Sequence, residues 1–359
     1  MTSIRLSSVR DAIEGHGLTL VRAHPRRDRL HLDLTDSAGH RVIGQWIADP
    51  DTAQSVARAT AAVAPGRARL LAPHLVLQDG GADRRLRALA PLVAAGAELV
   101  VHRPERRAVV RTGQGQDLVF TKIVRASRTA DLVRRMGQAA AVPGLRAPQV
   151  VAADEDAGTI RMSTLPGSTL HDLLATTVPE GVAHEIGRAV RTLHSAGDVD
   201  GVPRHDLGAE VDTTRGLLAL ARTHHALEAR TIDALERDAA RAASVIVAAG
   251  RVEGSSLLHR DLHDKQLLVD GTAVGMLDVD TLGVGDAALD LGNLLAHLDL
   301  RVRQGWTSPT VATAVEDQLV AGYGPQTRTL AAAEGYRALT KVRLRALYAF
   351  RPGDSPPSS

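Results

Sequence analysis

The run His259-Arg260-Asp261-Leu262-His263-Asp264-Lys265-Gln266 gathers carboxylates, imidazoles, cations and an amide into eight positions, and Leu277-Asp278-Val279-Asp280 follows with Asp278 seventeen positions after Asp261. One acidic side chain on a tight loop, then a second carboxylate behind a short apolar strand, is the layout that transfers a phosphoryl group from Mg-ATP to a hydroxyl. In that layout Asp261 takes the hydroxyl proton, while Gln266 and Asp278 hold the magnesium. The transition state spreads negative charge over the moving group, so the chemistry is mostly positioning and charge neutralisation. A general base at Asp261 adds ~10²–10⁴-fold. Asp280 joins the ion through water. Asp286 and Asp290, in the run Gly285–Leu291, are expected to cap the next helix or hold the loop by hydrogen bonds. His259, Asp261 and His263 also alternate as a metallohydrolase site could. The further histidines such a site needs, among them His194, His205, His224, His225 and His297, show no ligand spacing.

Lysine usage adds a second signal. The chain has three lysines, Lys122, Lys265 and Lys341, against forty arginines, so a compact ammonium is kept at few places. Lys122 ends the apolar strand Leu118–Val124, where a kinase contacts the α- and β-phosphates. Its carboxylate partner is open. Asp131, the one acidic residue of the helix predicted over 128–141, suits either an ion pair with Lys122 or a surface position. Gly113-Gln114-Gly115 reads as a hairpin turn, because the phosphate-covering turn belongs one connection earlier, at residues 103–107. Arg106 and Arg107 there are expected on a solvated turn in preference to a phosphate contact.

Those groups need a scaffold, and the composition permits one. At 359 residues with 44% hydrophobic content, the chain can bury a sizeable core. It has no cysteine, which excludes disulfides and thiol catalysis, and no apolar stretch long enough to span a membrane. A net charge of +2 and seven aromatic residues argue against nucleic-acid binding. The expectation is a cytoplasmic protein, monomer or homodimer, with no nucleic-acid or membrane partner. Along the chain, residues 18–21, 30–34, 41–47 and 69–77 read as strands, with helices over 50–62 and 83–95. Five further strands and one helix fill 97–164, and 169–350 is mostly helical. The Pro/Ser-rich tail 351–359 is expected to be disordered.

The spaced motifs together resemble the aminoglycoside phosphotransferase and choline kinase superfamily. His259-Arg260-Asp261-Leu262-His263 carries an amide five residues after the aspartate, and Leu277-Asp278 precedes Gly285-Asp286-Ala287-Ala288-Leu289-Asp290-Leu291. Lys122, Leu165-Pro166-Gly167 and Leu193-His194 come before them in the order of that family, over roughly residues 97–350. Gln266 stands where most of these kinases have asparagine; that feature and an extra N-terminal segment are similar to the maltokinase-like branch.

The resemblance implies an α+β, protein-kinase-like bilobal fold behind an N-terminal α/β cap. Residues 1–96 would be the cap, 97–167 the small lobe and hinge, and 168–350 the helical large lobe. ATP, with GTP left open, would lie between the lobes against Ser163 and Leu165 of the hinge, beside Lys122 and Mg²⁺. The acceptor would be a small hydroxylated molecule: a sugar, an amino sugar or an aminoglycoside-type compound. A quaternary ammonium would want an aromatic cage, for which Trp306, Tyr323, Tyr336 and Tyr348 are sparse. A polycation would want an acidic wall, with Asp299, Glu316 and Asp317 available. The alternative is a catalytically weak, pseudokinase-like nucleotide-binding scaffold.

Overall fold

Alternation of apolar residues at period two builds the N-terminal sheet. The computed structural model describes residues 4–250 and 255–352, so the expected disorder of the tail beyond 352 lies outside the described residues. Its first part runs α1 (Leu6–Gly15), β1 (Thr19–Pro25), β2 (Arg29–Thr35), β3 (Arg41–Ile47), α2 (Pro50–Val63), β4 (Ala68–Ala72), β5 (Leu75–Gln78) and α3 (Leu89–Ala94). The strands form one antiparallel sheet in the order β1-β2-β3-β5-β4. Leu30, Leu32 and Leu34 of β2 are buried on one face, as the pleat requires. α2 starts as its sequence indicates: Asp49 accepts from the Thr52 N–H at 2.8 Å, with Pro50 in the first turn.

Two expectations need correction here. The stretch 69–77 is a hairpin, β4 and β5, because Pro73 in the connection fixes φ and lacks an N–H for the ladder. The helix expected over 83–95 forms only over Leu89–Ala94. Asp83 is buried, and its Oδ1 accepts from the N–H groups of Arg85 and Leu86 at 2.8 and 3.1 Å. That local turn competes with helix. α1 was not anticipated from the sequence.

The small lobe follows: β6 (Glu98–Arg103), β7 (Arg107–Thr112), β8 (Val119–Val124), α4 (Ala126–Ala140), β9 (Val150–Asp154) and β10 (Thr159–Met162). Its antiparallel sheet runs β6-β7-β8-β10-β9. As expected, Gly113-Gln114-Gly115 falls in the connection between β7 and β8.

The large lobe contains β11 (Ser168–Thr169), α5 (Leu170–Ala175), α6 (Val182–Ser195), β12 (Arg204–His205), α7 (Leu207–Thr223), α8 (Ala229–Ala248) and β13 (Ser256–Leu258). After these come β14 (Leu267–Asp270), β15 (Ala273–Met276), β16 (Gly283–Gly285), α9 (Ala288–Arg303), α10 (Pro309–Tyr323) and α11 (Thr327–Tyr348). Gly167 lets the hinge enter β11: its φ is +112°, and a Cβ there would lie 2.2 Å from the Val269 carbonyl oxygen. The central helix α9 is buried along most of its length. Gly292 lets it approach α11 closely, since a Cβ would meet the Ala333 carbonyl oxygen at 2.5 Å.

The N-terminal sheet touches both lobes. Its leucines share one core with Leu218 of α7, Ile232 of α8, Leu339 and Val342 of α11, and Phe350. Ala23 N–H donates to the Phe350 carbonyl at 2.8 Å. Toward the small lobe, Arg41 donates to the Val100 carbonyl at 2.9 Å, and Arg84 pairs with Glu105 at 2.8 Å. Among the described residues no helix is long and apolar enough to cross a membrane.

Candidate active site

The loop bearing Asp261 is shaped by a carboxylate from α9. Asp290 is fully buried, and its two oxygens accept from the backbone N–H of His259 (2.7 Å) and of Arg260 (2.8 Å). His194 of α6 lies 3.1 Å from Asp290 and 2.8 Å from the Tyr323 hydroxyl. Burial works to raise the Asp290 carboxyl, but the His194 hydrogen bond, the charges of His194 and His259 and the His259 N–H together outweigh it and hold the group below its ordinary range. Thr281 donates to the His259 carbonyl at 2.8 Å, and His259 Nε2 sits 2.7 Å from the Leu277 carbonyl. These bonds join the two motifs of the sequence. Arg260 then turns the chain in the left-handed region, φ +70°. Asp261 emerges exposed on a cavity wall. Asp286 accepts from the Ala288 N–H at 2.9 Å, in the first turn of α9.

Asp278, also left-handed at φ +54°, faces the small lobe. Lys122 on β8 donates to Asp278 at 3.0 Å and to Asp280 at 2.6 Å. Arg107 on β7 reaches the same carboxylates at 3.2 and 3.4 Å. Burial raises the Asp278 carboxyl, yet Lys122 and Arg107 outweigh it and keep the group ionised. For Asp280 burial prevails, reinforced by Asp278, and its pKa is raised. Lys122, which is buried, is pushed down by burial and raised further by the two carboxylates. Two adjacent part-buried carboxylates, one of them driven toward protonation, form a site with room for more positive charge than two side chains supply. With the Gln266 amide on the same cavity, the donor set is all oxygen and fits a hard cation such as Mg²⁺.

Three sequence expectations are settled differently here. Asp131 does not partner Lys122; it binds Arg134 and Arg135. Arg135 in turn donates to the Asp280 carbonyl at 3.2 Å, so α4 supports the loop through an arginine. The turn after β6 is solvated only in part: Arg106 is exposed, as expected, and its neighbours are not. Glu105 within it is buried, takes Asp83 Oδ2 on its N–H at 2.7 Å, and pairs with Arg84. Arg107 at its end points at Asp278 instead of solvent; no one-dimensional signal marks it among forty arginines.

Two cavities are lined by these residues. A cleft of about 420 Å³ between the lobes is lined by apolar groups including Val109, Phe120 and Leu268. Lys122, Gln266, Asp278 and Asp280 stand at its polar end, and Ser163 and Leu165 at the hinge. Ser163 is fixed by reciprocal bonds with the Gln149 backbone, both at 2.9 Å. The second cavity, about 790 Å³, has Asp261 on its wall together with Arg22 and His24 of β1. Arg103 and Arg107 are close enough to feel both Asp261 and Asp278.

The histidine cluster takes a form the sequence did not suggest. His263, Asp264 and His297 come together, but Asp264 accepts from Arg301 at 2.7 and 3.1 Å and lies 2.6 Å from His171. Its oxygens are committed to a cation already. Asp299 and Glu316, considered for an acidic acceptor wall, bind Arg337 and line a separate cavity without Asp261.

A five-stranded small lobe hinged to a helical lobe, with a cleft between them and paired acidic loops at its end, defines a protein-kinase-like fold. Residues 99–336 match the model of the phosphotransferase enzyme family, and the chain belongs to that family as a small-molecule kinase. No curated protein matches the sequence. Among solved structures, the chain is similar to aminoglycoside phosphotransferase APH(3'')-Id of Streptomyces rimosus in complex with ADP and streptomycin. The identity is 23%, the TM-score 0.54, and the match covers 72% of this chain and 98% of that one. The GDP and kanamycin complex of APH(2'')-IIIa matches at 15% identity and TM-score 0.52, covering 70% and 84% of the two chains. Choline kinase of Cryptosporidium parvum matches at 10% identity and TM-score 0.50, covering 71% and 83%. These likenesses are of fold.

Proposed function

We propose that this protein transfers the γ-phosphoryl group of ATP to a hydroxyl of a small molecule, with Asp261 as the base. The acceptor oxygen forms the new P–O bond, the bond from the γ-phosphorus to the bridging oxygen breaks, and ADP departs with that electron pair. The hydroxyl proton passes to Asp261. Lys122 and Arg107 neutralise the phosphates; the adenine lies in the apolar cleft against Ser163 and Leu165. Asp278 and Gln266 would hold Mg²⁺, which supplies further charge neutralisation at the phosphates. The observation that carries this reading is the charge shared by the two cavities: Arg103 on the wall of one and Arg107 on the wall of the other each lie in the fields of both Asp261 and Asp278. A nucleotide in one cavity and an acceptor in the other would bring their reacting groups toward those two arginines. We extend the proposal to residues 1–96 as a cap closing the acceptor side, because Arg22 and His24 line that cavity.

The test combines binding with turnover. Wild type is expected to be stabilised by ATP only with Mg²⁺, by about 2–3 kcal/mol at saturation, and Asp278→Ala to lose that effect. Asp261→Asn should keep it while phosphoryl transfer falls ~10²-fold or more. Undiminished transfer by Asp261→Asn would remove the base from the scheme. Nucleotide binding with no transfer to any hydroxyl would favour the scaffold reading.

A further inference from the structure

The acceptor cavity is strongly basic. Seven arginine and lysine side chains line it against two carboxylates, Asp261 and Glu210, and Glu210 is already bound to Arg343. Arg301 is also compensated, by Asp264. Three cations keep no such partner: among the described residues Arg103, Arg260 and Lys265 have no carboxylate within ion-pair distance. Their environments register the excess. Burial, then Arg107, brings Arg103 down to about 10. Grouped cations that depress one another in a concave, half-enclosed space favour an anion.

Arg103 is near Asp278 and serves the nucleotide's phosphates as well. Lys265 is different: with Arg22 and Arg301 it lines the acceptor cavity, and none of the three lines the nucleotide cleft. On the wall of the same cavity Trp306 is 43% exposed, stacked on His171 with ring centres 4.4 Å apart, and fixed by its indole N–H to the His171 carbonyl at 2.8 Å. A rigid aromatic face on that wall fits the C–H face of a ring.

Resting on the kinase reading above, we propose that the acceptor is an anionic hydroxylated ring, carrying a phosphate or carboxylate held by Lys265 and Arg22, and not a polycation or a neutral sugar. Arg22 belongs to the N-terminal sheet, so that sheet contributes to the choice of substrate.

The experiment compares four acceptors of one ring size with Mg-ATP, reading ADP release and product mass: glucose 6-phosphate, glucuronate, glucose and glucosamine. The same four are titrated calorimetrically into the Mg-ADP-loaded protein. Binding or transfer with glucose 6-phosphate or glucuronate at least tenfold better than with glucose or glucosamine is expected, and the better of the two names the anion. Arg22→Ala and Lys265→Ala should each raise the KM or Kd of that anion tenfold or more, with the KM for ATP unchanged, and Arg22→Lys should recover part of it. Equal or better use of glucosamine or glucose, or no binding of either anion, overturns the proposal. Failure of the kinase reading itself shows separately, as absence of Mg-ADP binding before any acceptor is added.

Discussion

His31 on β2 shows how one buried side chain couples this fold to pH. It is 3% exposed, and burial together with Arg26 and Arg29 lowers its pKa from 6.5 to about 3. The unfolded chain therefore takes up a proton first as the pH falls. The contribution is fully present above 6.5 and is lost progressively toward 3. Between pH 6.5 and 4.5 the loss is about 2 kcal/mol, at ~1.4 kcal/mol per pH unit less some relaxation. Asp33, brought to about 2 by His24 and Arg41 against its own burial, acts in the same direction at lower pH. The expected outcome is that His31→Leu flattens, without abolishing, the fall in melting temperature between pH 7 and 4.5. An unaltered pH profile would show that His31 is already protonated or solvated in the folded state.

At the scale of the element, α9 serves as the frame of the loop that bears Asp261. Asp290 in its first turn satisfies two backbone N–H groups of the neighbouring loop, and Asn293 one turn later donates to the Arg260 carbonyl at 3.4 Å. Asp290→Ala leaves both N–H groups and His194 without their acceptor. Its cost is expected at about 3–5 kcal/mol, as for a broken buried ion pair, read as a large drop in melting temperature. A melting temperature within a degree of wild type would mean that water replaces the carboxylate. The expectation that Asp290 caps or braces the loop was legible because its place in Gly285–Leu291 is fixed relative to Asp278. Arg107 and Arg135 were not legible, since arginine is everywhere in this chain and only the β-sheet register and the α4 face select these two.

For the whole molecule, the N-terminal sheet is part of the structural core. Leu30, Leu32 and Leu34 pack with Leu218, Ile232, Leu339, Val342 and Phe350 in one cluster. Removing residues 1–96 would expose that apolar surface of the large lobe, and proteins with large exposed apolar patches associate. A fragment of residues 97–359 is expected to be aggregated or insoluble, measured by size-exclusion chromatography after expression. A monodisperse fragment with wild-type nucleotide binding would show that the large lobe is stable without the sheet. The same contact sets Arg22 and His24 on the wall facing Asp261, a consequence of where the sheet docks.

Local spacing along the chain was enough to announce the class of protein. The loop around Asp261, the strand ending at Lys122 and the acidic runs after Leu277 each lie within a few residues, and the strands between them follow from period-two alternation. Turn chemistry was less accessible: Pro73 split one expected strand, and Asp83 held back a helix by bonding the backbone beside it. Tertiary structure alone decided which charges meet. Lys122 found Asp278 and Asp280 instead of Asp131, and Asp264 found Arg301. It also gathered seven cations from distant segments around one cavity. Electrostatic pairing depends on distance through space, which sequence separation does not report, and the long arginine side chain can reach any of several carboxylates until packing removes all but one.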